Sequence, residues 1–469
     1  MRSRSETRPT MNRRDFLVSS LTVPALRAQS RPPNVLFILA DDLGWGDLSC
    51  YGNQRIKTPN LDAIARQGTL FSQFYVAGSV CSPSRTGFMT GRFPARYRIH
   101  GHIATEQFNA QRGMPNFLDP SAPNIARTLR QAGYETAHFG KWHLGHGQGA
   151  LLPDAYGFSH HKTVTSNETR WQEQGPGFRA KSTAWMVDNT IEFLEQNRSR
   201  PFYINFWTLL PHATLEPTEE QMKPFERFRP NTREHRGAAQ VYYASLNDLD
   251  TQIGRLMKRL EEMDLARNTI VLFSSDNGPE DIHISNAVHS AIGSPGPFRG
   301  RKRSLYEGGV RVPLLARWPG RIPANRVDES SVLGGVDFYP TLSKLAGLPA
   351  PAGVDGEDVS DIWTGASRPR RKPLFWEWRF NIAGYNVNRS PMLSMRDGDW
   401  KLMMNPDRSR VELYDIPRDP MELNNQAAGK PEVVARMSAA LLAWQKTLPP
   451  GPVEPAAGRN DYPWPRPAQ

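Results

Sequence analysis

Val35-Leu36-Phe37-Ile38-Leu39-Ala40-Asp41-Asp42 runs six apolar residues straight into a pair of carboxylates. An unbroken apolar run of this length, without polar alternation, reads as a strand buried on both faces. Three later segments share the pattern. Thr136-Ala137-His138-Phe139-Gly140 runs into Lys141-Trp142-His143, and Phe202 to Leu210 runs into Pro211-His212. Ile270-Val271-Leu272-Phe273 runs through two serines into Asp276-Asn277-Gly278. In open α/β sheets the functional residues gather beyond the carboxyl ends of the strands. Four strands delivering Asp, Lys, His and Asn in that way point to a site there and argue against core filling.

Helical patterns alternate with these strands. Thr58-Pro59 opens one with a cap and a first-turn proline, and Gly68 closes it. Ser121 and Pro123 open another that stops at Gly133, and longer periodic stretches cover Ser182 to Gln196 and Ala238 to Met263. The alternation predicts an α/β sandwich. Past residue 370 the character changes. Met392 to Trp400, Lys401 to Met404 and Val411 to Tyr414 read as a small antiparallel meander, with turns at Asp397-Gly398 and Asn405-Pro406. Pro431 to Lys446 reads as a closing helix with a core stripe of Val434, Met437, Leu441 and Trp444. The division expected is a leader over 1–31, a catalytic α/β domain over 32–370, an α+β subdomain over 371–450, and a loose Pro-rich tail over 451–469.

Composition narrows the classes. A chain of 469 residues buries a large core, and its 58 Lys+Arg against 47 Asp+Glu give a net charge of +11. The basic residues are scattered and form no long run, which argues against nucleic acid as a partner. The two cysteines, Cys50 and Cys81, cannot make a disulfide framework. Asn12-Arg13-Arg14-Asp15-Phe16-Leu17, followed by the modestly apolar Val18 to Leu26, reads as a twin-arginine export signal with a cleavage point near Ala28. The expected location is therefore the periplasm or the extracellular space. No stretch reaches the roughly 20 apolar residues that a membrane-spanning helix needs.

The chemistry-bearing residues have ordinary readings when taken singly. Asp41-Asp42 and Asp276-Asn277 offer only oxygen ligands, which suits a hard divalent cation such as Ca2+ or Mg2+, yet such pairs also make turns and caps. Lys141 and His143 stand two apart, so both face one way in an extended segment. Cys81-Ser82-Pro83-Ser84-Arg85 reads as a helix start with Ser82 at the cap. That places residue 81 at a positive helix N-terminus where an anion is favoured, with Arg85 one turn on.

Taken together, these motifs resemble the type I sulfatases of the alkaline phosphatase superfamily. The likeness runs from Cys81-Ser82-Pro83-Ser84-Arg85 through Asp41-Asp42-Leu43-Gly44-Trp45-Gly46-Asp47, Gly140-Lys141-Trp142-His143-Leu144-Gly145, Ser275-Asp276-Asn277-Gly278 and Tyr306-Glu307-Gly308-Gly309. It extends from about Pro33 to about Asn425 and is strongest toward the arylsulfatase A and N-acetylgalactosamine-6-sulfatase group. The resemblance implies an alkaline-phosphatase-like fold, a large mixed sheet sandwiched by helices. It also implies oxidation of Cys81 to formylglycine by a formylglycine-generating enzyme, with Asp41, Asp42, Asp276, Asn277 and residue 81 around one Ca2+. Arg85, Lys141, His143, His212 and Lys302 are the implied catalytic residues, and Ser166 a further polar contact. Arg301 and Arg303 flank Lys302, and Thr214 stands where related chains often carry proline after His-x.

The implied activity is hydrolysis of a sulfate ester, on a sulfated carbohydrate or an aryl sulfate. One hydroxyl of the formylglycine hydrate would attack sulfur, and the other would expel sulfate as the aldehyde re-forms. Two alternatives stand beside it: a phosphodiesterase or phosphonate monoester hydrolase of the same superfamily, and a glycan-binding pseudoenzyme in which Cys81 is never converted.

Overall fold

The computed structural model describes residues 31–146, 149–164, 178–229, 237–284 and 287–462. The export-signal region and Ser166 lie outside them. The chain builds nine strands of a first sheet: β1 (Asn34–Ala40), β2 (Thr69–Tyr75), β3 (Glu135–Lys141), β4 (His160–Val164), β5 (Phe202–Trp207), β6 (Thr269–Ser275), β7 (Arg311–Arg317), β8 (Arg326–Asp328) and β9 (Leu333–Gly334). Their order is β4-β3-β5-β1-β6-β7-β2-β8, with β9 also on β2. From β4 to β6 neighbours are parallel, whereas β7 is antiparallel to both β6 and β2. The sheet is therefore mixed, as the resemblance implied. The four expected strands are β1, β3, β5 and β6, and they lie side by side. All seven residues of β1 and of β6 are buried, which is why their sequences carry no polar alternation.

The helices are α1 (Pro59–Arg66), α2 (Cys81–Thr90), α3 (Glu106–Gln111), α4 (Ile125–Gln131), α5 (Phe178–Asn197), α6 (Glu219–Met222), α7 (Ala238–Glu262), α8 (Glu307–Val310), α9 (Phe338–Leu345), α10 (Ser360–Trp363) and α11 (Pro431–Gln445). They fill both faces of the sheet. One core gathers Phe37, Phe74, Phe88, Trp207 and Phe338, and the other gathers Leu36, Ile38, Phe206, Leu249 and Phe273. Successive residues of β1 thus feed opposite cores. Two caps differ from expectation. The cap of α4 is Asn124, whose side chain accepts from Arg127 N, and not Ser121. Helix α2 starts at Cys81 itself, and the Ser82 hydroxyl accepts the Ile103 N–H at 3.0 Å.

A second, antiparallel sheet orders β10 (Leu374–Glu377), β11 (Leu393–Asp397), β12 (Trp400–Met404) and β13 (Glu412–Asp415). Helix α11 buries Met437, Leu441 and Trp444 against it, and Trp444 stacks on Phe375 with centroids 4.9 Å apart. Val434 stays partly exposed. The Pro-rich tail is not loose as far as Tyr462. Glu454 N bonds Arg379 O, Glu454 pairs with Arg112, and the Tyr462 hydroxyl takes the Ile382 N–H. No helix among the described residues is long and apolar enough to cross a membrane.

Candidate active site

The carboxyl ends of β1, β3, β5 and β6 and the N-terminus of α2 converge on one buried cluster. Asp41 and Asp42 leave β1 in succession. The left-handed backbone of Asp42 (φ 65°) turns the second carboxylate toward β6. There the Asp42 N–H donates to Asp276 Oδ1 at 3.2 Å, and Asn277 Nδ2 donates to Asp42 Oδ1 at 2.7 Å. The Asp276–Gly278 turn fits because α8 offers no side chain against it. A Cβ on Gly278 would stand 1.9 Å from Gly308 O.

Cations interleave these carboxylates. Lys141 Nζ lies 2.7 Å from Asp41 Oδ2, and Lys302 Nζ lies 2.7 Å from Asp42. Arg85 grips Asp276 Oδ2 with Nε at 3.1 Å and Nη2 at 2.7 Å, while its Nη1 donates to Lys141 O at 2.8 Å. Its guanidinium also lies over the Trp207 ring. Burial raises the Asp42 carboxyl, but Lys302 and then His212 outweigh it and hold the group below its ordinary range. The same pairing holds Lys302 protonated against its own burial. Of the three adjacent basic residues only Lys302 enters the cluster. Arg301 turns back to carbonyls of Glu280, Ala291 and Gly293, and Arg303 (φ 77°) pairs with Glu280.

Cys81 is 2% exposed, with Sγ 3.5 Å from Asp41 Oδ1. Burial, then the Asp276 charge, pushes its thiol up and away from the thiolate. A thiol held protonated in this way is a poor nucleophile.

Two imidazoles flank the cluster. His212 donates Nδ1–H to Ala213 O at 2.6 Å, which leaves Nε2 3.7 Å from Asp42 Oδ2. Burial, then Lys302, pushes His212 down to about 3. His143 is not in the extended backbone expected from its spacing to Lys141. It adopts φ 54°, gives Nε2 to Ile103 O at 3.0 Å, and keeps Nδ1 buried without a partner. Burial, then the Lys141 charge, holds it well below its ordinary range, so both rings are neutral near pH 7.

The donor set fits a hard cation. The ligand atoms of Asp41, Asp42, Cys81 and His212 lie within 4.8 Å of one another. Asn277 Oδ1 is buried and has no hydrogen-bond partner, while its amide nitrogen is fully used. An orphaned buried amide oxygen beside the Asp42 carboxylate is a donor that suits an oxygen-seeking cation such as Ca2+. Of the singled-out residues that are described, all except His143 are joined by direct contacts, and His143 borders them beside Lys141 and Arg85. Sequence reasoning missed Glu280, whose carboxylate lies 3.4 Å from Lys302 Nζ, and Arg179, which bonds His212 O. The one available signal for Glu280 was its place just after Asp276-Asn277-Gly278-Pro279; Arg179 carried none.

The comparisons agree with this geometry. The Sulfatase family model matches residues 33–348, and the model for the C-terminal part of N-sulphoglucosamine sulphohydrolase matches residues 298–447. Human arylsulfatase A is 34% identical over 76% of this chain and 72% of its own length. N-acetylgalactosamine-6-sulfatase of the dog, Canis lupus familiaris, is 32% identical over 90% of this chain and 87% of its own. The crystal structure of Ps i-CgsB in complex with k-i-k-neocarrahexaose shares the fold, with TM-score 0.76 at 24% identity over 89% of this chain and 94% of that one. With a cation-ready cluster at the strand ends and the family's model covering more than half its length, the chain belongs to the sulfatase family and is a sulfuric ester hydrolase.

Proposed function

We propose that this enzyme is an exported sulfatase that removes sulfate from a carbohydrate ester, with residue 81 matured from cysteine to formylglycine and one Ca2+ in the cluster. The observation that carries the reading is the place of Cys81. It is buried at the N-terminus of α2, beside Asp41 and among Lys141, Lys302 and Arg85, with its thiol held protonated. That setting serves an oxygen nucleophile made from this residue better than a thiolate. When bound, Ca2+ held by Asp41, Asp42, Asp276 and Asn277 supplies a fixed positive charge, and the hydrated aldehyde supplies a pair of hydroxyls on one carbon.

The chain's own residues do the rest. Lys141 and Lys302 stand where ammonium protons reach the non-bridging oxygens of a sulfate group, in an interior that strengthens each contact. Arg85 locks Asp276 and the Lys141 carbonyl into register, so these charges need no rearrangement during reaction. His143 offers an unprotonated Nδ1 with its other nitrogen tied to Ile103 O, the tautomer required of a base that takes a hydroxyl proton as sulfate departs. His212 presents an unprotonated Nε2 beside Asp42, and the proton for the leaving oxygen comes from the Lys302 ammonium. The carbohydrate assignment draws on the names of the relatives, and the export assignment on the twin arginines at 13 and 14.

The test is direct. Protein made in a host with the maturation machinery should carry a residue-81 peptide lighter than the cysteine form by about 18 Da. It should also release inorganic sulfate from a panel of sulfated mono- and oligosaccharides. An unmodified thiol, or faster turnover of matched phosphate esters, would sink the proposal.

A further inference from the structure

One wall of the site continues past His143. Ile103 is held at both of its backbone groups: its N–H donates to the Ser82 hydroxyl at 3.0 Å, and its carbonyl meets His143 Nε2 at 3.0 Å. That fixes the residue before it, His102, half-buried at the edge of the cluster, with ring centroids 6.5 Å from His143 and 5.1 Å from Phe108 of α3. The Arg112 guanidinium follows, 4.2 Å from the Phe108 ring and 3.9 Å from that of Phe380. A guanidinium held against two rings keeps a fixed orientation. Among the described residues only its Nη2 meets a carboxylate, Glu454 Oε1 at 3.0 Å. Its Nη1 closes on the backbone beside His102, where a Cβ on Gly101 would stand 3.3 Å away. The charge around His102 is one-sided. Burial, then Arg303, Lys302, Arg112 and Lys141, hold its imidazole down to about 3, so the ring is neutral and has one N–H to give. Arg303 also disfavours the charge on Arg112, which puts the two cations within electrostatic reach of each other. Like charges gathered beside a catalytic group favour a bound anion.

We infer that His102, Arg112 and Arg303 form a second anion subsite, which receives a carboxylate or a further sulfate carried by the same glycan as the ester under attack. The substrate class is therefore a polyanionic carbohydrate, a uronate-containing or multiply sulfated chain. This rests on the sulfatase reading under Proposed function and names its substrate more closely. Arg303 commits its terminal nitrogens to Glu280 and supplies field, while Arg112 and His102 supply the N–H groups that touch the anion. An anion held there keeps the same contacts before and during cleavage of the ester. It strengthens binding uniformly and so acts on KM and not on kcat.

The experiment compares three forms of the sulfated disaccharide that the panel above shows to be hydrolysed fastest. One carries a uronate beside the sulfated sugar, one has that carboxyl reduced to an alcohol, and one is the reduced form with a second sulfate. Affinity is measured by calorimetry on the Cys81→Ala protein in Ca2+, and kcat and KM on the matured enzyme. At least one charged form should bind about tenfold tighter than the reduced form, the scale of one charge-assisted contact. The preference should appear in KM, leave kcat within about twofold, and shrink as salt is raised. Arg112→Met should bring the ratio of affinities to within about twofold, and Arg112→Lys, with a charge but no planar fork, should fall between it and the wild type. His102→Ala should cut the ratio roughly threefold, and it keeps the proposal testable if the Arg112 variants do not fold. Preference for the uronate identifies the second anion as a carboxylate, and preference for the disulfate alone identifies it as sulfate. Equal affinity for all three forms, or a preference untouched by these substitutions, would overturn the inference. Release of sulfate from the reduced form would then leave the sulfatase reading standing, and a wild type that hydrolyses none of the panel would overturn that reading as well.

Discussion

Two networks of buried charge stand on either side of α8, and they differ in how they close. On one side Glu307, Glu422 and Lys401 form a staple between the two sheets. Lys401 Nζ lies 2.9 Å from Glu307 Oε1 and 3.0 Å from Glu422 Oε1. Glu422 Oε2 takes the Glu307 N–H, and Glu307 Oε2 takes the Tyr75 hydroxyl and Arg311. Three of the four carboxylate oxygens there take a hydrogen bond from within the chain, and the fourth, Glu422 Oε1, meets Lys401 only as an ion pair, with Glu422 itself in a left-handed backbone (φ 57°). On the other side, the cluster around Asp41, Asp42 and Asp276 leaves Asn277 Oδ1 and His143 Nδ1 buried without partners and holds two residues at positive φ. Buried ion pairs are common to both, so burial and charge do not mark a site. What marks the site is the kind of group left over, an amide oxygen and an imidazole nitrogen beside converging carboxylates, which can take up a cation or a proton.

The sharpest break of this comparison is Cys81→Ala. It should abolish turnover and leave the melting temperature within a few degrees, since it removes one sulfur from a preorganised pocket; full activity in the variant would refute the mechanism. Next comes Lys401→Met in the staple. It strands two buried carboxylates at a cost of about 3–5 kcal/mol in stability. Turnover of the molecules that remain folded should change by less than about threefold at temperatures below the transition, because the staple touches no reacting group. Calorimetric unfolding beside kcat measurement separates the two effects.

Asn277→Ala tests the orphaned carbonyl. Titration with Ca2+ should raise the melting temperature of the wild type, and the variant should need on the order of tenfold more Ca2+ for half the shift. Equal Ca2+ dependence would mean that Asn277 is not a ligand. The smallest effect is a pair of opposite pH slopes. Burial raises Glu422 to about 7, so the folded state keeps a proton that the unfolded chain releases, and this group's contribution falls as pH rises from about 4.5 to about 7. Glu280 is the reverse: burial raises it, but Arg303 and then Lys302 bring it down to about 2, and its contribution is lost as pH falls from about 4.5 toward 2. Relative to wild type, Glu422→Gln should therefore melt progressively higher between pH 4.5 and 7, by a few degrees, on the scale of about 1 kcal/mol per pK unit. Glu280→Gln should lose its disadvantage only in acid, and parallel melting curves for both variants would contradict these assignments.

Much of this was legible along the chain. Strands β1, β3, β5 and β6 are buried on both faces, so their apolar runs have no competing reading; β3 ends on Lys141, β1 and β6 stop one residue before Asp41 and Asp276, and β5 stops at Trp207, short of the expected Leu210 and five residues before His212. Strands β2 and β7 were not read. Thr69–Tyr75 interrupts its apolar residues with Ser72 and Gln73, and Arg311–Arg317 is bounded by arginines and carries a proline. Those side chains have partners far away in sequence: Arg311 Nε donates to Ser72 O, and Gln73 Nε2 to Glu329 O. The tail was misread for a similar reason. Proline content predicts an absence of regular structure, and it is blind to a Glu454 that finds Arg112 and the Arg379 backbone.

By itself, the sequence determined the period of the elements and the kinds of group at their ends, because both follow from residues a few positions apart. It thereby determined a sheet with oxygen ligands, cations and imidazoles along one edge. Only the tertiary structure decided which of Arg301, Lys302 and Arg303 enters the site, that Glu280 backs Lys302, and that Arg179 holds the turn of His212. Those choices depend on backbone angles and on contacts between segments tens to hundreds of residues apart, where one left-handed residue redirects a charge and no local pattern records it.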